Sequence, residues 1–394
     1  MHKKITILAL LFTTLILVAC GPKVSNKEYY SDIVISKYYE ALTMNNSVIE
    51  LYNNGNDEIK LNNLTLDIYA NGAATRDYSI KLEGKIEPKG YYLIARPDAK
   101  AEILEIADMT TNDLLFNGND MVALVTDDEI LDVVGHYLSS ADFGKDATLI
   151  RMPDRMEQNS VYDEGDFIVY QPEVFEYLKN DNFPVQTMEQ LLDGPQFNES
   201  LFDKPFLSAT DPTIGGGGLL KVTLVSIADG DTASFQRSDN NETIRVRYLY
   251  VDTPEVNGTH TTVQPWGMQA SNFNKQYLLA NTSEKEIYLQ TIEGLSTVDT
   301  FGRFLALVWV DGILSNHVIV RNGLSQVSKD FSIHSMSAAY NQVPYISYLL
   351  AAQANAADKN LGVMGGVDSC WDYGRGELIS GGCSHYPNDQ DWKN

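Results

Sequence analysis

Asp231, Arg247, Asp252 and Glu255 fall within one short stretch of the chain and carry the side chains best suited to chemistry. Each stands at or near the end of an apolar run. Residues 219–228, LLKVTLVSIA, lead into Asp229-Gly230-Asp231-Thr232. Ile244 to Val251, which includes Arg245 and Arg247, leads into Asp252-Thr253-Pro254-Glu255. Carboxylates held this close repel one another unless a cation lies between them. Oxygen donors of this kind suit a hard cation such as Ca²⁺. The planar fork of an arginine suits a phosphate, because it donates to two oxygens at once. The pattern therefore points to a metal and a phosphodiester. Taken singly, each residue also has an ordinary role. Asp231 would cap its own turn, Arg247 would pair with a surface acid, and Glu255 would start a helix after Pro254.

The elements that must position these groups are legible from periodicity and breakers. The polar turn Ser238-Asp239-Asn240-Asn241 folds the two apolar runs into a hairpin. After Pro265 and Gly267, Met268 to Ala280 reads as a helix, and Glu286 to Leu289 as a strand. Leu305 to Val310 reads as a strand ending in the tight turn Asp311-Gly312. Asn316 to Asn322 reads as a short helix closed by Gly323, and Ile346 to Asn360 as an alanine-rich helix closed near Gly362. Five strands with helices packed around them fit an α+β OB-type β-barrel. Before this region, from Ser31 to about Arg155, short strands alternate with turns. They include Asp32–Ser36, Ser47–Tyr52, Leu64–Tyr69, Gly90–Ala95 and Met121–Val125. That spacing predicts a β-sandwich.

The motifs DGDT, RYLYVDTPE and, at 301–312, FGRFLALVWVDG resemble the staphylococcal (thermonuclease-like) nuclease family, in order, over roughly residues 219–366. The resemblance implies an OB-fold domain that hydrolyses phosphodiester bonds of DNA, RNA or both with Ca²⁺. It implies Asp231, Asp252 and the Thr253 carbonyl as metal ligands, Glu255 as the group that acts on water, and Arg247 and Arg303 as phosphate binders. It further implies products ending in a 3′-phosphate. The sequence departs from the family in three places. The loop VNGTHTTVQPWG after Glu255 has no lysine, Thr300 stands where a basic residue is common, and Lys329 and Phe331 replace two nucleotide-flanking tyrosines. The alternative is a nucleic-acid-binding or adhesin module that uses the nuclease fold without chemistry. The run VIELYNNGNDEIKLNNLTL, with GYYLIA and NGNDMVALV behind it, resembles the lamin-tail family, an immunoglobulin-like β-sandwich. It implies a binding or spacing role, with a surface or nucleic-acid partner.

The chain of 394 residues carries a net charge of −24, an awkward balance for a protein that must attract phosphates. The acidity is unevenly spread, however. Residues 218–366 hold ten Lys and Arg against thirteen Asp and Glu, so all but −3 of the charge lies elsewhere. At the N-terminus, Lys3 and Lys4 precede an apolar run, Ile5 to Val18, and the sequence Leu17-Val18-Ala19-Cys20. This resembles a bacterial lipoprotein signal. It implies removal of residues 1–19, lipid on Cys20 as the contact with the membrane, a tether over 20–30, and an extracytoplasmic place at the cell surface or envelope. Cys370 and Cys383 then remain, and an even pair in an exported chain reads as one disulfide. Residues 156–218, which end in Gly215-Gly216-Gly217-Gly218, read as an irregular linker with a flexible glycine hinge. No Lys-Ser or Lys-Thr pair follows those glycines, so they do not form a P-loop. Residues 367–394 read as a tail.

Overall fold

The computed structural model describes residues 26–379, apart from 128, 257–262, 280–284, 329–332 and 376. Cys20, Cys383, Lys329 and Phe331 lie outside the described residues. Among the described residues, no helix is long and apolar enough to cross a membrane.

The first part of the chain is a sandwich of two sheets. One has six strands in the spatial order Phe167–Tyr170, Thr148–Arg151, Ile33–Tyr39, Val48–Asn53, Tyr91–Ala95 and Met109–Thr110. The other has four, in the order Glu129–Val134, Met121–Thr126, Leu64–Tyr69 and Tyr78–Lys81. Between them lies a core that includes Ile35, Leu51, Leu66, Ile94 and Leu124. Every residue of Ile33–Tyr39 is buried, because the six-stranded sheet is covered on its outer face as well. That second layer contains Tyr39, Leu93, Ile150 and Tyr170, packed beneath Tyr177, Phe183 and Leu191. The sheet therefore extends to Tyr170, and residues 171–193 fold back over it.

The expected flexible linker is accordingly an ordered segment. It contains a helix, Met188–Asp193, whose Thr187 and Gln190 form a reciprocal capping box. The four glycines are buried and are not a hinge. A β-carbon on Gly215 would lie 2.2 Å from the Ile292 carbonyl oxygen, and one on Gly218 would lie 2.1 Å from that of Lys204. Glycine is needed there because backbone meets backbone.

The second part is a closed barrel. Strands β1 (Leu219–Ile227), β2 (Thr232–Arg237) and β3 (Thr243–Tyr248) form a meander. It continues from β1 to β4 (Ile287–Gln290) and β5 (Phe304–Val310). Parallel pairing of β3 with β5, Val246 opposite Phe304 and Tyr248 opposite Ala306, joins the two edges. Closure leaves no unpaired edge in the barrel. The barrel is flanked by α1 (Gly267–Leu279), α2 (Ser315–Arg321) and α3 (Tyr345–Asp358). Trp309 is completely buried in the barrel core, and its indole N–H donates to Gln290 Oε1 at 2.8 Å. Helix α3 serves two cores. Tyr345, Ile346, Leu349 and Ala352 face the barrel, whereas Tyr348 and Ala351 join the layer outside the six-stranded sheet.

The strand predicted over Ile244 to Val251 is broken. It stops at Tyr248, and Tyr250 takes a left-handed backbone conformation, φ 64°. Val251–Asp252 leaves the barrel and pairs instead with Gln326–Val327. This bend carries Asp252 to the barrel rim.

Candidate active site

The site is assembled at the end of β1 and β3. The turn between β1 and β2 is tight, with the Ala228 N–H donating to the Thr232 carbonyl at 2.9 Å. A β-carbon on Gly230 would come within 2.7 Å of Thr253 Oγ1 and 2.8 Å of Ala270 Cβ. Only glycine lets the turn fit between the Thr253 loop and helix α1. From α1, Asn274 Nδ2 donates to the Asp229 carbonyl at 2.9 Å and fixes the turn from below.

Asp231 is buried and fully engaged. Its Oδ2 accepts from both the Thr253 N–H and the Thr253 hydroxyl, each at 2.7 Å. Its Oδ1 accepts from the Thr232 hydroxyl at 3.0 Å. Arg247 reaches across from β3 with a two-pronged contact. Nη1 pairs with Asp231 Oδ2, and Nη2 pairs with Asp252 Oδ1 at 2.6 Å. Asp252 itself is anchored through its backbone N–H, which donates to Ser325 Oγ at 2.8 Å, while its carboxylate is exposed. The fold thus brings Asp231, Arg247, Asp252 and Thr253 into one network.

Glu255 is placed by its main chain. Its N–H donates to Gln264 Oε1 at 2.9 Å, and its carbonyl accepts from the Gln264 N–H at 2.8 Å. Arg303 stands just before the residue that pairs with Val246, at the rim beside β3. It is held by Asp299. Nε donates to Asp299 Oδ2 at 2.7 Å and the Arg303 N–H donates to Asp299 Oδ1 at 2.8 Å. Its guanidinium carbon lies 5.5 Å from the centre of the exposed Phe301 ring. Cys370 is buried and its N–H donates to Asp368 Oδ1 at 2.8 Å, while the other half of the expected disulfide, Cys383, lies outside the described residues.

Two contributors escape a reading of the sequence. Asp229 sits within the same Asp-Gly-Asp unit as Asp231, and its carboxyl is pushed up to about 6. Burial is the main cause, and the charges of Asp231 and Glu255 add to it. Gln264 had no signal at all, because its bonds to Glu255 depend on the path of the intervening loop.

Among the described residues, no group of three or more His, Cys, Asp and Glu side chains converges closely enough to hold a metal. The donor set proposed from the sequence does not need one, since it consists of two aspartates and a carbonyl. All its donors are oxygen, which suits a hard cation. Asp231 and Glu255 add their charge to the burial that raises the Asp229 carboxyl, so the turn gathers negative charge that a cation would offset.

Residues 245–363 match the profile described as "Staphylococcal nuclease homologue". Residues 26–137 match that of the Lamin Tail Domain. The chain is similar to the SPbeta prophage-derived endonuclease YokF of Bacillus subtilis (strain 168), at 38% identity over 110 residues, 28% of this chain and 35% of that protein. It is equally similar to endonuclease YncB of the same organism, at 38% over 110 residues, 28% of this chain and 49% of that protein. A thermonuclease of Staphylococcus intermedius is 33% identical over 124 residues, 32% of this chain and 67% of that protein. The chain thus spans about a third and about half of the lengths of the two Bacillus relatives.

Proposed function

Since the chain belongs to the staphylococcal nuclease family, we propose that it is an endonuclease that hydrolyses phosphodiester bonds of DNA, RNA or both with Ca²⁺, held at the cell envelope by lipid on Cys20. The observation that carries this reading is the network in which Arg247 bridges Asp231 and Asp252 directly beside Thr253. Asp231, Asp252 and the Thr253 carbonyl would hold the ion. Ca²⁺ would supply polarisation of a phosphoryl oxygen and a fixed template for the substrate. Arg247 would turn from the carboxylates to the phosphate once their charge is met elsewhere. Arg303 would neutralise charge that grows on the equatorial oxygens, a contribution of about 3–4 kcal/mol for one well-placed donor. Glu255 would take a proton from water as its oxygen attacks phosphorus. The bond to the 5′ oxygen then breaks, leaving a 3′-phosphate and a 5′-hydroxyl. An extracytoplasmic location fits a weak site, because extracellular Ca²⁺ modules work at roughly 10⁻⁴–10⁻³ M. The first domain would serve as a spacer or as a docking module for a surface or nucleic-acid partner.

One observation favours a second reading. Arg247 already neutralises both aspartates, as it would in a module that holds nucleic acid without cutting it. Incubating the full chain with DNA and RNA, in Ca²⁺ or in EGTA, separates the two. The enzyme reading expects Ca²⁺-dependent cleavage that falls about 10²-fold or more in Glu255→Gln while Ca²⁺ still binds. Asp231→Ala should lose binding and cleavage together. Cleavage that survives both substitutions would remove these residues from the mechanism. For the anchor, Cys20→Ser should shift the protein out of the membrane fraction, and identical fractionation of both forms would refute it.

A further inference from the structure

Beside Glu255 runs an open groove of about 440 Å³, walled by Pro254, Pro265, Trp266, Val363, Gly366 and Tyr373. Its size falls within the range of small-molecule sites, ≈ 300–1,000 Å³. Much of one wall comes from the segment after α3, and Tyr373 joins it from the stretch that the sequence presents as a tail. That segment is tied down by Asp368, a completely buried carboxylate. Asp368 Oδ2 accepts the Trp266 N–H at 2.6 Å. Its Oδ1 accepts the Cys370 N–H at 2.8 Å and is also bonded by Gln269 of α1. The Asp368 N–H in turn donates to the Tyr373 hydroxyl at 3.1 Å.

One residue therefore fixes both aromatic walls. Trp266 is held further. Its indole N–H donates to the Gly366 carbonyl at 3.2 Å, and a β-carbon on Gly366 would press to 3.0 Å from the indole Cζ2. Its backbone is left-handed, φ 69°, a conformation that a bulky residue keeps only where its surroundings enforce it. Tyr373 is 56% exposed, so its ring is open to a ligand.

We propose that this groove is a nucleobase subsite, in which a base of a single-stranded substrate stacks beside Trp266 and Tyr373. The proposal rests on the nuclease reading of the adjacent site. Three observations choose the occupant. The groove continues from the Glu255 loop, whose Pro254 and Gln264 belong to both. No lining residue is charged, so the groove suits the uncharged part of a nucleotide and not its phosphate. The chain is acidic, and residues 256–267 contain no lysine or arginine, so charge alone does not supply the grip. Stacking supplies it instead, and it tolerates any base because every base has a π-face. A base must leave its duplex partner to stack in this way, so single strands are the substrate class favoured.

The test measures binding of the full chain in EGTA, by anisotropy, to fluorescein-labelled octathymidylate and to an octamer of the same backbone without bases. Wild type should prefer the octathymidylate by roughly 10-fold or more. Tyr373→Ala should lose that preference and Tyr373→Phe should keep it, with circular dichroism showing all three folded. Equal affinity of wild type for the two octamers, absence of binding to either, or a preference intact in Tyr373→Ala would each overturn the subsite. Cleavage of long single-stranded DNA in Ca²⁺ is scored separately. Cleavage without a base preference removes the subsite alone, whereas a base preference without cleavage removes the nuclease reading and leaves the groove a binding site.

Discussion

His317 offers a sharp test of how the first half of the chain supports the second. It lies on α2, is only 3% exposed, and its Nε2 is 3.1 Å from the Leu191 carbonyl. The contact clamps the helix Met188–Asp193 onto the barrel's own helix. Gly194 closes the other side, since a β-carbon there would lie 2.9 Å from His317 Nδ1. Burial, reinforced by the charge of Arg321, pulls the imidazole down from 6.5 to about 4. The folded state therefore holds His317 neutral, and the unfolded state binds the proton more readily. Stability from this source is complete above pH 6.5 and is lost as pH falls towards 4. At about 1.4 kcal/mol per pH unit, the loss reaches about 3 kcal/mol, a large part of the 5–15 kcal/mol typical of a folded protein. Urea unfolding of wild type and His317→Gln between pH 7 and 4 measures it. Wild type should lose stability more steeply than the variant across that window. Parallel curves, or an imidazole that titrates near 6.5 in the folded protein by NMR, would refute the reasoning. The neighbouring Asn316 donates to the Leu249 carbonyl at 2.8 Å, so loosening here should also reach the bend that places Asp252.

Gly230→Ala should push the turn off Thr253 and Ala270 and lower cleavage at least tenfold, with a fall in stability of about 1–3 kcal/mol. Unchanged cleavage would show that the turn has slack. A chain starting at Gly217 should keep the barrel but lose thermal stability, because it uncovers Tyr348 and Ala351 and removes the partner of His317. A melting temperature equal to that of the full chain would mean that these contacts contribute nothing. Trp309→Ala should cost about 3–5 kcal/mol, read as a shift in the denaturant midpoint, and a cost below 1 kcal/mol would contradict its place in the core.

What the sequence discloses here is mostly what local chemistry decides. The strand Leu64–Tyr69 and helix α1 start and stop close to where apolar periodicity and breakers place them. The pairing of Asp231 with Arg247 was foreseeable, because the two flank the open end of the hairpin β2–β3, where Thr232 lies opposite Arg247. The failures are long-range. Four glycines in a row look flexible from within, yet the carbonyls of Ile292, Pro205 and Lys204 press against Gly215, Gly216 and Gly218, and Gly217 takes a left-handed φ of 82°. The break at Tyr250 had no glycine to announce it. Asp368 falls in the stretch that reads as a tail, and its partners Trp266 and Gln269 lie about a hundred residues away.

Helix α3 has a consequence for how such chains can be recombined. Matched to the thermonuclease of Staphylococcus intermedius over 124 residues, the barrel looks like a module ready for transplantation. Its last helix, however, is amphipathic towards two different interiors at once, with Tyr345 and Ile346 turned one way and Tyr348 and Ala351 the other. A graft into a new background would carry an oily seam that its former neighbour used to cover. Successful chimaeras should therefore need polar replacements at Tyr348 and Ala351 before any change at the rim. By the same token, a substitution on this helix is tested by two interiors, so fewer residue types should be tolerated along it than on α1.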